Sequence, residues 1–505
     1  MLAIDIGTSS VRALAYDASL HSVPGAEAHL PHHPRLTADG GAELDYRSLR
    51  ASVLSAVDRV LSGAPRAGFA AVGISSFWHG LVAADRLDKP LTPVYLWSDG
   101  RAWREAEALR RRLDERRLHQ RTGCRLHPSY WPAKIAWLRR ADRRLRGRQV
   151  RWLSPADLLS AELLGRSATS ASLASATGVR QLRRPAWDGP LLEALGLRLE
   201  ALPEVADAPG VLSARWRKRW PQLAEAIWAP VLGDGAAANL GSGCLDVSRR
   251  ALTVGTSAAL RVTLPSPPRT LPYSLWCYQA GPGRFVTGGA LSNGGNLFEW
   301  LRQTLAVGDV DAALRSVARS DDGFSELTFL PLLAGERSPG YALHATGAIA
   351  GLTQATTAVD LLGAGLAAIA VQLARLDRDL DRIAPSSAEV IASGAGLLAD
   401  PGWMRMICDA LGKPLRAGHA KEASARGAAL VALEAAGLAP TRLAGLDPGA
   451  GRPVKPDRSP AVRERYAAAM SRQDALYRVL VTGRLLEAKA PPTPAHLRRL
   501  RVPRE

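Results

Sequence analysis

Cysteine is scarce in this chain of 505 residues. The four present, Cys124, Cys244, Cys277 and Cys408, lie far apart and form no C-x-x-C pair. That excludes a disulfide framework or zinc ribbon and fits a set of reduced thiols in the cytoplasm. Long apolar runs are also missing: no stretch of about eighteen apolar residues occurs, so no membrane span is expected. The longest apolar piece, 361–374, is rich in Ala and Gly and runs into Arg375-Leu-Asp-Arg-Asp-Leu-Asp-Arg382, the pattern of a buried helix with a wet end. A charged leader with a cleavage site is absent at the start, and secretion is not expected. Acidic residues are the minority, 47 against 65 basic ones, for a net charge of +18. The basic clusters 139–151 and 498–504 lack interleaved aromatics, so they read as solvated helix faces rather than a nucleic-acid surface. The expected partners are therefore small molecules, with neither nucleic acid nor membrane among them, and the positive excess would help draw anionic ligands.

What is present is an alternation of strands and helices over a length too great for one core, which argues α/β architecture in more than one domain. Met1-Leu-Ala-Ile-Asp-Ile-Gly-Thr-Ser-Ser-Val-Arg-Ala-Leu-Ala-Tyr16 predicts a strand at 2–6, a tight turn and a second strand at 11–16. A turn of small residues with free N–H groups and hydroxyls can wrap a phosphate chain, and the carboxylate of Asp5 beside it can hold Mg²⁺ through water. The design recurs at Thr253-Val-Gly-Thr-Ser257, between strands predicted at 249–254 and 257–263. One such tip is an ordinary hairpin; two suggest an internal duplication and a nucleotide gripped from both sides. Further strands are predicted at 69–75, 81–85 and 388–392, the second pairing near the first. Helices are predicted at 97–112 after a loop start, 133–145, 296–304, 357–383, 401–411, 423–436 and 460–481.

Three other segments carry chemistry. In Gly233-Asp-Gly-Ala-Ala-Ala-Asn239 an acid stands between two glycines, which would let a substrate approach the carboxylate of Asp234. Phosphoryl transfer to a hydroxyl needs a base of this kind, although the same pattern suits a plain turn. In Gly73-Ile-Ser-Ser-Phe-Trp-His-Gly80, Trp78 can face the C–H side of a sugar and His79 can bond its hydroxyls. Trp97, Asp99 and Arg101 are spaced by two and share a side if extended, where Asp99 and Arg101 could equally form a local clamp. Ser393-Gly-Ala-Gly396, between a strand and a helix, would let a base or ribose lie against backbone.

In this order, Asp5-Ile-Gly-Thr-Ser-Ser, Ser75-Ser-Phe-Trp-His79, Trp97-Ser-Asp-Gly-Arg101, Lys134-Ile-Ala-Trp-Leu138, Gly233-Asp-Gly235, Thr253-Val-Gly-Thr-Ser257, Gly335-Glu-Arg-Ser-Pro339, Gly351-Leu-Thr353 and the 393–396 loop resemble the FGGY family of carbohydrate kinases. The resemblance implies two actin-like, ribonuclease H-like domains with the active site in the cleft between them. It divides the chain into an N-terminal domain at 1–245, a C-terminal domain at 246–440, and a linker, terminal helix and basic tail at 441–505. It implies ATP and Mg²⁺ as cofactors: Asp5 on the metal side, Thr8, Ser9 and Arg12 at the first phosphate turn, Gly255, Thr256 and Ser257 at the second, and Gly394, Ala395 and Gly396 at adenosine. Asp234 takes the place of the catalytic base, and Trp78, His79 and Asp99 sit where the family contacts its sugar. Homodimers are frequent in the family.

Thr122-Gly-Cys-Arg-Leu-His-Pro128, Ala174-Ser-Ala-Thr-Gly178 and Gly288-Gly-Ala-Leu-Ser-Asn-Gly-Gly295 resemble the gluconate-kinase branch, which implies 6-phosphogluconate as product. Xylulose or another ketopentose is the runner-up substrate. A non-catalytic, sugar-sensing protein on the same fold is the alternative from another class. Four departures from the family pattern occur: one fewer glycine in the 393–396 loop, a mild change; Ala367 where an acid is frequent, a structural one; and two that bear on the substrate, Trp131 in place of a small residue or Pro before the Lys, and Ser170 in place of an Asp.

Overall fold

The computed structural model describes residues 1–64, 68–145, 148–309, 312–313, 326–418, 422–438 and 451–485. The expected linker after Gly437 falls mostly outside them, and the basic tail at 498–504 entirely so.

Two sheets of the same design organise the chain. The first is built from β1 (Leu2–Ile6), β2 (Ser10–Tyr16), β3 (Ser22–Pro31), β4 (Ala71–Ser76), β5 (Ile227–Trp228) and β6 (Leu232–Gly233). Its order is β5-β4-β1-β2-β3, with β6 also on β4. The second contains β7 (Arg249–Val254), β8 (Ala258–Leu264), β9 (Trp276–Gly281), β10 (Arg284–Leu291), β11 (Glu389–Ser393) and β12 (Leu415–Ala417), in the order β9-β10-β8-β7-β11-β12. In both, an opening antiparallel hairpin (β1–β2, β7–β8) pairs in parallel through its first strand with a later strand (β4, β11). β1 reads Leu-Ala-Ile-Asp-Ile and is buried throughout, as a strand covered on both faces should be.

Helices cover the sheets. α1 (Tyr46–Gly63) lies on β2 and β3, capped by Asp45, whose side chain accepts from the Ser48 N–H. α2 (Trp131–Ala141) packs in a separate cluster with Leu81, Ala83 and Tyr95, and α3 (Asp234–Gly241) follows β6 directly. α4 (Gly295–Thr304), α5 (Ala358–Asp381) and α6 (Pro401–Leu411) serve the second sheet. α7 (Ala423–Ala435) comes late in the chain yet packs on α3, β4 and β1. α3 and α7 approach through small residues: a Cβ on Gly241 would stand 1.9 Å from the Ala423 carbonyl oxygen, and one on Gly427 2.0 Å from that of Ala237. The helix that begins at Asp234 is thereby clamped between the halves. α8 (Pro460–Tyr477) closes the second core through Tyr466 and Met470.

Several elements differ from expectation. The strand at 82–84 pairs with 151–153 rather than with β4. The helix expected at 133–145 stops at Ala141 and gives way to a single 3₁₀ turn at 143–145. The terminal helix ends at Tyr477 and continues as one π turn. α5 is long and apolar enough by composition to cross a membrane, and it is the buried helix expected over the apolar piece at 361–374. Most of that helix is buried against the second sheet, which accounts for its apolar surface.

Candidate active site

Strand register alone gathers the phosphate turns and the acid. Ile6 of β1 and Gly233 of β6 both pair with Ser76 of β4. The next residues, Gly7 and Asp234, therefore leave the sheet at one level on either side of β4, roughly two strand spacings or about 10 Å apart. Across the cleft Thr253 pairs with Ser393, so the second turn and the Gly394 loop also leave their sheet together. The turns are closed alike, by Gly7 N–H to the Ser10 carbonyl and Gly255 N–H to the Ser257 carbonyl, each 2.9 Å. Ser9, Gly255 and Thr256 keep exposed positions at the tips, and Thr8 is half-buried. α4 backs the second turn: its Gly295 N–H donates to the Gly255 carbonyl and its Asn296 N–H to that of Thr256.

Asp234 lines a cavity of about 180 Å³ shared by both lobes, and Ser257 of the second turn lines it too. Its Oδ1 accepts the backbone N–H groups of Trp78 (3.2 Å) and Gly235 (2.8 Å), and no other described residue donates to Oδ2. Burial raises the Asp234 pKa, while the two backbone donors and the Arg261 guanidinium pull it down. The flanking glycines have a reason other than the one expected. A Cβ on Gly233 would overlap Nε1 of Trp78 at 1.6 Å, and one on Gly235 would stand 2.3 Å from its Cζ3. The glycines make room for an indole, and the indole forms the floor beside the acid.

Aromatic groups from both lobes form the cavity wall. Trp276 stacks on Tyr278 with centroids 4.3 Å apart, and Trp78 meets both edge-on. The Tyr130 and Tyr278 hydroxyls hydrogen-bond at 2.7 Å. His79 sits at φ +65° in this wall. Its Nδ1–H donates to the Ala176 carbonyl at 2.7 Å, which fixes the tautomer and leaves Nε2 as an acceptor. Burial lowers its pKa to about 3, so the ring is neutral. His127 has the opposite tautomer: its Nδ1 accepts the Ser129 N–H at 3.2 Å, leaving Nε2 as a donor. Lys134, fully enclosed, donates to the His79 and Leu96 carbonyls at 3.0 and 2.6 Å and holds the strained loop. Burial brings its pKa down to about 7.

Two arginines complete the lining. Arg337 donates to the Leu291 carbonyl at 2.9 Å and lies over the Trp97 ring, 4.6 Å from its centroid. Arg261 makes only a long 3.4 Å contact to the Thr253 hydroxyl. Neither forms an ion pair with a described residue, and the Nε of each is buried without a partner. Both are half-buried and line the cavity.

Of the expected site residues, Trp78, His79, Asp234 and Ser257 share this cavity. Asp99 does not: its carboxylate accepts from the Ala42 N–H and clamps Arg101 at 2.5 Å, so it shapes a loop rather than meeting the cavity. Arg12 reaches across to Glu422 at 2.8 Å, tying β2 to the start of α7. Gly394 has φ +108°, and a Cβ there would stand 2.0 Å from the Val254 carbonyl oxygen. Ala395 and Gly396 open the short helix Ala395–Leu398 beyond it.

Asp5 is nearly buried with no described ion pair. Burial, with the Asp234 charge adding to it, brings its pKa up to about 6. An enclosed carboxylate beside a second one suits a hydrated divalent cation, which takes few protein ligands when phosphates supply the rest. The sequence reading missed His127, Tyr130, Arg261, Trp276, Tyr278 and Arg337. A larger concavity, about 950 Å³, lies elsewhere, between Arg86, Arg148 and Arg198, and its one carboxylate is Glu200. Size therefore does not mark the chemistry here.

Comparison with known proteins agrees with this geometry. Residues 1–241 match the N-terminal domain and 251–436 the C-terminal domain of the FGGY family of carbohydrate kinases. The chain is 26% identical over 456 residues to a gluconokinase of Bacillus subtilis (strain 168), covering 86% of this chain and 88% of that one. Among solved structures, gluconate kinase from Lactobacillus acidophilus superposes with a TM-score of 0.87 at 24% identity, covering 96% of this chain and 99% of the other. A ligand-bound xylulose kinase from the same organism gives 0.87 at 23%, with the same coverage. These structural likenesses speak for the fold.

Proposed function

Because this chain belongs to the FGGY family of carbohydrate kinases, we propose that it transfers the γ-phosphoryl group of ATP to the terminal hydroxyl of a sugar acid, D-gluconate, giving 6-phosphogluconate. One observation carries the choice of an acid: two guanidinium groups without ion-pair partners line the cavity that holds Asp234. A cleft with that excess of positive charge favours an anionic acceptor, because a buried charge needs a counter-charge.

Asp234 takes the hydroxyl proton on Oδ2 as the oxygen attacks phosphorus in line. Burial makes it a stronger base than an ordinary aspartate, and its two backbone donors hold it in position. The indole of Trp78 and the aromatic wall exclude water, which favours the sugar hydroxyl as acceptor. His79 Nε2 accepts from one substrate hydroxyl and His127 Nε2–H donates to another. The hairpin tips at 7–9 and 255–257 offer N–H and hydroxyl donors to the phosphate chain, with the 394–396 loop beside the adenosine. Asp5 would hold Mg²⁺, whose chemistry is to neutralise charge on the phosphates.

The test is identification of the product. With ATP and gluconate, ³¹P NMR should show a phosphate monoester on the primary carbon of the acid as ADP appears. ADP formation with xylulose but none with gluconate would overturn the assignment.

A further inference from the structure

Resting on the sugar-acid reading above, we infer that Arg261 is the specificity residue that binds the substrate's carboxylate, so that the second lobe reads the acid while the first lobe supplies the base. Ser257, Ala259 and Arg261 alternate along β8 and all line the cavity. Arg261 lies four positions beyond Ser257, about 13 Å of extended chain, so its backbone stands back from the phosphate turn while its side chain reaches toward Thr253. The backbone stands level with the aromatic wall: Arg261 and Trp276 both pair with Gly288 of β10, from opposite sides. Gly288 has no side chain to fill the space between them. A Cβ there would lie 3.0 Å from Arg261 Cγ, so the arm of the arginine crosses the gap that the glycine leaves. Its guanidinium lines the same cavity as Asp234 and the aromatic wall, with Nη1 turned toward the Thr253 hydroxyl.

The hydrogen-bonding capacity of Arg261 is almost unspent. Of the two cavity arginines, Arg337 is held by the Leu291 carbonyl and the Trp97 face. Arg261 has the long Thr253 contact alone, and its Nε is buried without a partner. Arginine offers a planar fork matched to a carboxylate, and an enclosed one lacking a counter-ion invites an anion. Asp234, the carboxylate nearest in charge effect, is turned to the Trp78 and Gly235 N–H groups.

The experiment compares wild type, Arg261→Gln and Arg261→Lys with two acceptors that differ at one carbon: gluconate, and glucitol with CH₂OH in place of the carboxylate. For each, kcat, KM for the acceptor and KM for ATP are measured, with thermal melting to confirm folding. The Gln variant should raise KM for gluconate about 10–100-fold, and the preference for gluconate over glucitol should fall by the same factor. The Lys variant should recover part of both. An unchanged preference in Arg261→Gln overturns the inference and leaves the sugar-acid reading standing. An equal fall in kcat on both acceptors also overturns it, since that marks contact with the transferring phosphoryl group. A wild type that turns over neutral sugars but no sugar acid overturns the reading itself, and the inference with it.

Discussion

Gly233 and Trp78 compete for one volume: a Cβ on the glycine would lie 1.6 Å from the indole nitrogen. The residue before Asp234 is therefore small so that the aromatic floor of the cavity can reach the acid. Gly233→Ala should push the indole out, cost about 1–3 kcal/mol as an overpacked core does, and lower kcat/KM for the sugar at least tenfold. Tryptophan fluorescence and steady-state kinetics on the same preparation would check it; an unchanged kcat/KM would show that the floor plays no part.

Asp234→Asn keeps both backbone hydrogen bonds to the side-chain oxygen and removes only the basic site. It should melt within a few degrees of wild type while kcat falls about 10²–10⁴-fold. ADP release in the presence of saturating acceptor is the readout, and wild-type turnover would remove Asp234 from the mechanism.

These two residues show how unevenly the sequence spoke. Asp234 and the hairpin tips were legible because short turns of small residues after apolar strands carry their meaning locally. The α/β class followed from the alternation of strands and helices, whereas the parallel pairing of β1 with β4 and of β7 with β11 joins strands far apart in the chain that no local pattern connects. Arg261 was not legible: within Ala-Ala-Leu-Arg-Val-Thr-Leu it looks like any outward polar position of a half-buried strand, and its role depends on Gly288 of a strand far along the chain. β3 was missed because Ser-Val-Pro-Gly-Ala-Glu-Ala-His-Leu-Pro lacks a clean alternation and has a mostly exposed face. For Asp99 the sequence left two readings open, a ligand contact or a clamp on Arg101, because the spacing is the same for both, and the structure shows the clamp.

Lys134 gives stability a definite pH dependence. Its pKa is about 7 in the fold, lowered by burial, against 10.5 unfolded. Between those values the unfolded chain binds more protons, so stability rises with pH, by up to about 1.4 kcal/mol per unit. From pH 7 to pH 9 wild type should gain about 2–3 kcal/mol relative to Lys134→Met, measured by urea unfolding of both proteins at both pH values. The Met variant should also raise KM for the sugar, because the His79 carbonyl loses its donor. Parallel pH curves for the two proteins would contradict the argument.

Gly394 adopts φ +108°, with the Val254 carbonyl where a side chain would begin. Gly394→Ala must shift the loop that is proposed to face the nucleotide. KM for ATP should rise about tenfold or more with a smaller change in KM for the sugar, since the sugar wall lies elsewhere. Equal effects on both would mean that the loop serves the whole cleft rather than the nucleotide.

The account turns on an acid-binding cleft with Asp234 as its base. The most direct measurement is kcat/KM from a coupled ADP-release assay across gluconate, xylulose, ribulose, fuculose and glycerol, run with wild type and Asp234→Asn. Gluconate should exceed every neutral acceptor by at least about tenfold with wild type, and the signal should nearly vanish in the variant. A neutral ketose preferred by the same margin, or a variant that still turns over at the wild-type rate, would contradict it.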